Sequence, residues 1–142
     1  WHITWQEIHN ATRALAQTIK DANFNPTTIV AVAKGGIIPA GILLQFFPNA
    51  HFVVLRVKSY DKKERKDVRI HNPEVLTFVD FERTLVVDDI CDSGNTFQAI
   101  DNLFPGMCYA AIFRRSANPK QFHCYSGWLA TEDSWLNFPW ER

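Results

Sequence analysis

Leu85-Val86-Val87-Asp88-Asp89-Ile90-Cys91-Asp92-Ser93-Gly94-Asn95-Thr96 reads as an apolar strand that runs into two carboxylates, then a turn of small polar residues that opens a helix. In open α/β sheets, ligands bind beyond the carboxyl ends of the strands, so Asp88 and Asp89 are expected at that end. Neighbouring side chains on a strand point to opposite faces, so the two carboxylates are inequivalent unless the chain turns there. Backbone N–H groups and two hydroxyls at the start of a helix suit a phosphate monoester. Ser93, Gly94, Asn95 and Thr96 supply that arrangement beside the acidic pair. A phosphorylated sugar, with a phosphate at one end and hydroxyls or a metal nearby, satisfies both halves.

Working outward, the helix opened by this turn is expected over residues 95–103, and apolar runs predict further strands over 109–113 and 125–130. Upstream, Thr4 with Glu7 three residues later reads as a capping box. Trp5, Ile8, Ala11, Leu15 and Ile19 recur at helical spacing, which predicts a helix from about residue 4 to 20. Thr28 to Ala33 is a β-branched, apolar run of the kind buried on both faces of a parallel sheet. Lys34-Gly35-Gly36 ends it, and a helix follows from Ile37 to Phe46, with Pro39 tolerated in its first turn. Phe52 to Val57 is a second strand. Residues 59–72 carry Lys62, Lys63, Glu64, Arg65, Lys66, Asp67 and Arg69 with almost no apolar content, so they form a long solvated loop or a charged hairpin; loops of this length often act as lids. Strands alternating with helices indicate an α/β domain with a mainly parallel sheet, and the length of 142 residues fits one domain.

Fifteen basic and fifteen acidic residues give no net charge, so nothing draws nucleic acid globally, and an anionic ligand must be held by local groups. The three cysteines, Cys91, Cys108 and Cys124, match no zinc or redox spacing, and their odd number argues against a disulfide framework. A reducing cytoplasm is the expected compartment. No apolar run approaches the roughly 20 residues of a membrane span, and stable membrane insertion is not expected. No signal peptide is visible; the chain opens at Trp1, so native residues are expected to precede it. The Asp-Asp strand end also occurs in receiver domains and Walker B strands. The pair here lies past the middle of the chain, unlike a receiver domain, and no G-x-x-x-x-G-K-[ST] loop accompanies it.

Residues 85–96 resemble the 5-phosphoribosyl-1-pyrophosphate (PRPP) signature of the type I phosphoribosyltransferases. Val32 to Gly36 resembles that family's pyrophosphate loop, and Ser59-Tyr60 with the charged stretch after it resembles the start of its mobile loop. Asp133 to Glu141 resembles the C-terminal segment of the xanthine-guanine and hypoxanthine branch. The resemblance implies the type I phosphoribosyltransferase fold over residues 1–142, with a small hood largely from about residue 115 onward. It implies that Asp88 and Asp89 face the ribose hydroxyls with Mg2+ nearby, and that Asp92 is the general base. Residues 92–96 would hold the 5′-phosphate, and Lys34 and Gly35 the pyrophosphate. Arg115 would read the purine 6-oxo group, with Arg114 as the adjacent alternative; Trp135 would stack on the base, and the Leu136 backbone would meet its edge. Ser59, Tyr60, Arg65 and Lys66 would belong to the lid. The Ala33–Lys34 peptide is the family's candidate for a strained, sometimes cis bond, although Lys34 stands where many members have Arg. Asn95 also departs from the pattern, since Lys or Gly is common there. The implied partners are PRPP and a purine base in a cytoplasmic homo-oligomer. The implied activity is purine salvage by phosphoribosyl transfer to guanine, xanthine or hypoxanthine. A different base, such as adenine or a pyrimidine, or a non-catalytic PRPP-sensing regulator, is the alternative; no basic patch or helix-turn-helix supports a regulator that binds DNA.

Overall fold

The computed structural model describes residues 1–62, 65–115, 122–131 and 135–141, and the side chains of residues 61, 62, 65 and 66 lie outside that description. The first helix, α1 (Trp5–Asp21), starts where its capping residues demand: Glu7 N–H donates to Thr4 Oγ1 at 3.1 Å, and Thr4 N–H donates back to Glu7 Oε1 at 3.1 Å. That reciprocal bonding satisfies donors no intrahelical carbonyl can reach. Its apolar stripe, Ile8, Ala11, Leu15 and Ile19, is fully buried.

The remaining elements are β1 (Thr28–Ala33), α2 (Ile37–Leu44), β2 (His51–Lys62), β3 (Arg65–Ile70), β4 (Thr84–Cys91), α3 (Asn95–Leu103), β5 (Cys108–Arg114) and β6 (Tyr125–Leu129). The strands form one six-stranded sheet in the order β3-β2-β1-β4-β5-β6. β2, β1, β4, β5 and β6 run parallel, and β3 pairs antiparallel at the edge. One face of the sheet packs Ile29, Ala31, Leu85 and Val87 against α1 and α2; the other packs Val30, Val32, Leu55 and Val86 with Phe97 and Ile100 of α3. This two-sided burial is why β1 and the start of β4 read as unbroken apolar runs. Among the described residues, no helix is long and apolar enough to cross a membrane.

Three expectations shift. The charged stretch takes the hairpin form rather than the loop form: β2 continues past Val57 to Lys62 and pairs with β3 from Val57↔Ile70 to Lys62↔Arg65. Polar side chains do not prevent this, because the backbone ladder satisfies itself and described side chains such as Ser59, Tyr60 and Arg69 remain exposed. Arg69 lies 5.3 Å from the Tyr60 ring, a cross-strand contact of a kind that stabilises hairpins, and 3.2 Å from Asp67 on its own strand. The helix expected to reach Phe46 ends at Leu44, and the chain tightens into bonds from Gln45 N–H to Ile42 O and Phe46 N–H to Leu43 O. Lastly, the described part of the C-terminal segment does not stand alone. Residues 1–3 bond to it through Ile3 N–H to Asn137 O (3.0 Å) and Asn137 N–H to Trp1 O (2.9 Å). The remainder of the expected hood, residues 116–121, 132–134 and 142, lies outside the described residues.

Candidate functional site

β4 lies between β1 and β5, and its last residues extend beyond its pairing with β1. Its pairing with β1 stops at Val87, whereas its pairing with β5 continues to Cys91. Val87 and Ile90 both pack on the α1–α2 side, so the alternation of faces breaks once, at Asp88-Asp89. Local hydrogen bonds hold that break: Asp89 N–H donates to Asp88 Oδ1 at 2.8 Å, and Ile90 N–H to Asp89 Oδ1 at 2.7 Å. Both carboxylates thus turn toward the same cleft. Burial raises the proton affinity of Asp88 well above the usual carboxylate range, and the charge of Asp89 adds to it. Asp89 is raised chiefly by burial, against the lowering effect of its hydrogen bonds. Adjacent carboxylates in such a setting resist ionisation without a cation.

The turn after β4 holds the residues expected to cradle an anion. Gly94 takes the left-handed conformation (φ 86°) that places it as the N-cap of α3. A side chain there would also meet Phe122, whose Cβ lies 2.7 Å from the place a Gly94 Cβ would occupy. Ser93 Oγ accepts from Asn95 N–H at 3.2 Å. The cleft of about 250 Å³ is lined by Asp88 through Phe97, with Ser59 and Val68 of the hairpin facing them.

The pyrophosphate-loop candidates lie beside this cleft. The Ala33–Lys34 peptide is cis. Gly35 lies so close to the acidic pair that a Cβ there would be 2.7 Å from Asp89 Cγ. Lys34 is exposed and lines a neighbouring hollow of about 340 Å³ with Arg56, Lys58 and His71. Sequence reasoning missed those three basic residues. Arg56 and Lys58 two apart on a strand were the available signal, obscured because the strand was ended at Val57.

Asp92 and Arg115 meet: Arg115 Nε lies 3.2 Å from Asp92 Oδ1, and Arg115 Nη1 donates to Thr131 O at 3.2 Å. Arg114 instead neighbours Cys91 and Cys124, so Arg115 is the arginine beside Asp92. Trp135 is 79% exposed, while the Leu136 side chain is buried in the core; neither lines the cleft described above. Ser59 lines the cleft, Tyr60 packs on Arg69, and Arg65 and Lys66 begin β3 with side chains outside the description. Asp133 and Ser134 lie outside the described residues.

Residues 4–105 match the family profile of the phosphoribosyl transferase domain. The chain is 31% identical to a xanthine-guanine phosphoribosyltransferase of Idiomarina loihiensis, over 99% of this chain and 90% of that protein. A protein of the same description from Gluconobacter oxydans is also 31% identical, over 98% of this chain and 83% of its own length. Among solved structures, a purine phosphoribosyltransferase from Pyrococcus horikoshii superposes with a TM-score of 0.75 at 26% identity, covering 100% of this chain and 93% of that one. The Helicobacter pylori xanthine-guanine-hypoxanthine phosphoribosyltransferase shares the fold, with a TM-score of 0.75 at 21% identity, covering 99% and 92% of the two chains.

Proposed function

The chain belongs to the phosphoribosyltransferase family, and from that premise we propose that it transfers the 5-phosphoribosyl group of PRPP to a 6-oxopurine (guanine, xanthine or hypoxanthine), releasing pyrophosphate in purine salvage. The observation that carries the reading is the shared cleft: an acidic pair at the end of β4, a phosphate-sized turn opening α3, and an Asp92–Arg115 pair 3.2 Å apart beside them.

In this reading the residues divide the work. N–H groups and hydroxyls of Ser93 to Thr96 hold the 5′-phosphate, aided by the positive end of α3. Asp88 and Asp89 accept hydrogen bonds from the ribose hydroxyls. Lys34 and the Gly35 backbone face the departing pyrophosphate, and Arg56, Lys58 and His71 add positive charge on that side. The acidic pair also suits Mg2+: its ligands are hard oxygens, and two partly buried carboxylates of raised proton affinity gain most from a cation. Among the described residues no three acidic, His or Cys side chains cluster to hold a metal unaided, which fits an ion completed by water and PRPP oxygens. When bound, Mg2+ would neutralise charge on the leaving pyrophosphate. Asp92 lies where an incoming purine can hand it a ring proton. Arg115 donates to the 6-oxo oxygen, Trp135 stacks on the ring, and the Leu136 backbone meets its edge. The β2–β3 hairpin, with Ser59 and Tyr60 on one strand and Arg65 and Lys66 on the other, closes over the cleft and excludes water. A cytoplasmic homo-oligomer is part of the same reading.

Pyrophosphate release from PRPP, measured with guanine, xanthine, hypoxanthine and adenine, tests it. Turnover with at least one 6-oxopurine and poor use of adenine is the expected result. Preference for adenine, whose amino group would face Arg115 donor to donor, would overturn the 6-oxopurine reading.

A further inference from the structure

The hollow of about 340 Å³ beside the cleft is lined by Lys34, Arg56, Lys58 and His71, and by no acidic residue among those described. The sheet register brings these four together. Leu55 and Val57 pack on the α3 side, so alternation puts Arg56 and Lys58 on the opposite face of β2. Arg56 is level with Ala33 of β1, and His71 stands across the hairpin from it, donating its N–H to Arg56 O at 2.8 Å. Lys58 stands opposite Arg69. Like charges directly across a ladder are destabilising. Arg69 has Asp67 at 3.2 Å to offset its charge. The side chains of Lys34, Arg56, Lys58 and His71 have no ion-pair or hydrogen-bond partner among the described residues. The backbone adds a donor. Pairing with β1 ends at Arg56 while β2 runs on to Lys62, so one edge of β2 is open past that point. Arg56 uses its N–H and its C=O on the other edge, with Asn72 Oδ1 at 2.7 Å and His71. That orientation alternates along an antiparallel ladder, so Ser59 N–H points to the open edge. Ser59 lines both the hollow and the cleft, and the two adjoin at this residue.

We propose that this hollow is a binding site for a triphosphate chain, which starts at Lys34 and reaches one phosphate beyond the pyrophosphate of the transfer reaction. Lys34 and the Gly35 backbone face the pyrophosphate in the reading given above, and the inference rests on that reading for where the chain begins. Lys58 lies two residues, about 7 Å, beyond the level of Ala33 along β2, so the row of donors continues outward. Arg56 offers paired N–H groups and Lys58 a compact charge, both suited to phosphate oxygens. A third phosphate held by Arg56, Lys58 and Ser59 N–H offsets the like charges that the hairpin sets face to face. The chain carries no net charge, so the attraction is local to this cluster rather than a property of the whole surface. A ligand held in this way covers Lys34 and therefore competes with PRPP. Inorganic triphosphate and the tail of a nucleoside triphosphate share the chemistry that the hollow recognises.

Calorimetric titration with pyrophosphate, sodium triphosphate and ATP, in metal-free buffer at fixed ionic strength, tests the site. The wild type should bind sodium triphosphate about tenfold more tightly than pyrophosphate, the worth of one charge-assisted hydrogen bond. Arg56 and Lys58 are exposed, and Arg56→Gln and Lys58→Gln should each shrink that ratio to about threefold or less. Arg13→Gln, which removes an exposed charge on α1 outside the hollow, should keep the ratio. ATP that binds at least as tightly as the inorganic salt assigns the site to nucleotide tails, and ATP that binds more weakly assigns it to the inorganic chain; either supports the site. Equal affinity for triphosphate and pyrophosphate in the wild type, or a preference that survives both hollow substitutions, would overturn the proposal. A parallel titration of PRPP with Mg2+ should show a weaker apparent Kd when triphosphate is present. Triphosphate that binds through Lys58 yet leaves PRPP binding unchanged would overturn the run from Lys34. Protein that binds triphosphate through Lys58 but no PRPP would refute the PRPP reading of the cleft instead, and leave the ligand of the hollow standing.

Discussion

At Asp88, burial and the charge of Asp89 both favour the protonated carboxyl, and this has a definite consequence for stability. A folded-state proton affinity raised above the unfolded one contributes stability below the ordinary aspartate value of about 3.9, and that contribution is lost as pH rises through the raised value. Metal-free protein should therefore lose Tm with rising pH above about 4, and Asp88→Asn should flatten that decline while abolishing transfer. Thermal melts of both proteins across pH check it; parallel curves would mean that Asp88 ionises without cost. Arg115 makes a second prediction. Replacing it with Ala removes a charge-assisted hydrogen bond worth about 1.5–3 kcal/mol, and the loss in kcat/KM should fall alike on guanine, xanthine and hypoxanthine. Trp135→Ala should weaken every base, because stacking ignores ring substituents. Steady-state kinetics with four bases separates the two effects, and an Arg115→Ala enzyme unchanged with guanine would remove Arg115 from the base site.

Among the elements, α3 depends on its left-handed cap. Gly94→Ala forces a Cβ into a conformation that costs about 1–2 kcal/mol and toward Phe122. Weaker PRPP binding and a lowered Tm are expected, measured by calorimetry and melting; an alanine variant with wild-type PRPP affinity would show that the turn does not hold the phosphate. The β2–β3 hairpin is a two-stranded extension whose described outer residues, such as Ser59, Tyr60 and Arg69, are exposed. Few buried contacts mean easy local opening. Its amide exchange should be fast in the free protein and slow when PRPP and a base analogue bind, while α1 stays protected throughout. Equal protection of the hairpin with and without ligand would exclude a lid.

For the molecule as a whole, the parallel sheet carries the site and the two chain ends meet above it. Trp1 O and Ile3 N–H bond to Asn137, and Trp1 packs edge-on to Phe113 at 5.6 Å, two residues before Arg115. Damage to this junction should reach the base before it reaches PRPP. Ile3→Pro removes the N–H that Asn137 O accepts. It should raise KM for the purine more than KM for PRPP; equal changes in both would indicate general loss of fold rather than displacement of the base segment.

Local physical chemistry in the sequence was enough to determine α1 with its capping box, the buried strands β1 and β4, the turn into α3 and the acidic pair at a strand end, because each rests on near-neighbour periodicity and capping. The same reading identified Asp92 and Ser93 to Thr96 as one segment. It could not determine that β2 and β3 zip into a hairpin, since charged strands carry no apolar alternation and their pairing is a property of two segments. Nor could it tell which of Arg114 and Arg115 meets Asp92, which depends on the direction each side chain takes at the end of β5. The basic hollow around Lys34 and the joining of residues 1–3 to 135–137 likewise arise only when distant segments pack. Spacing along the chain says nothing about such contacts; the order of strands in the sheet decides them.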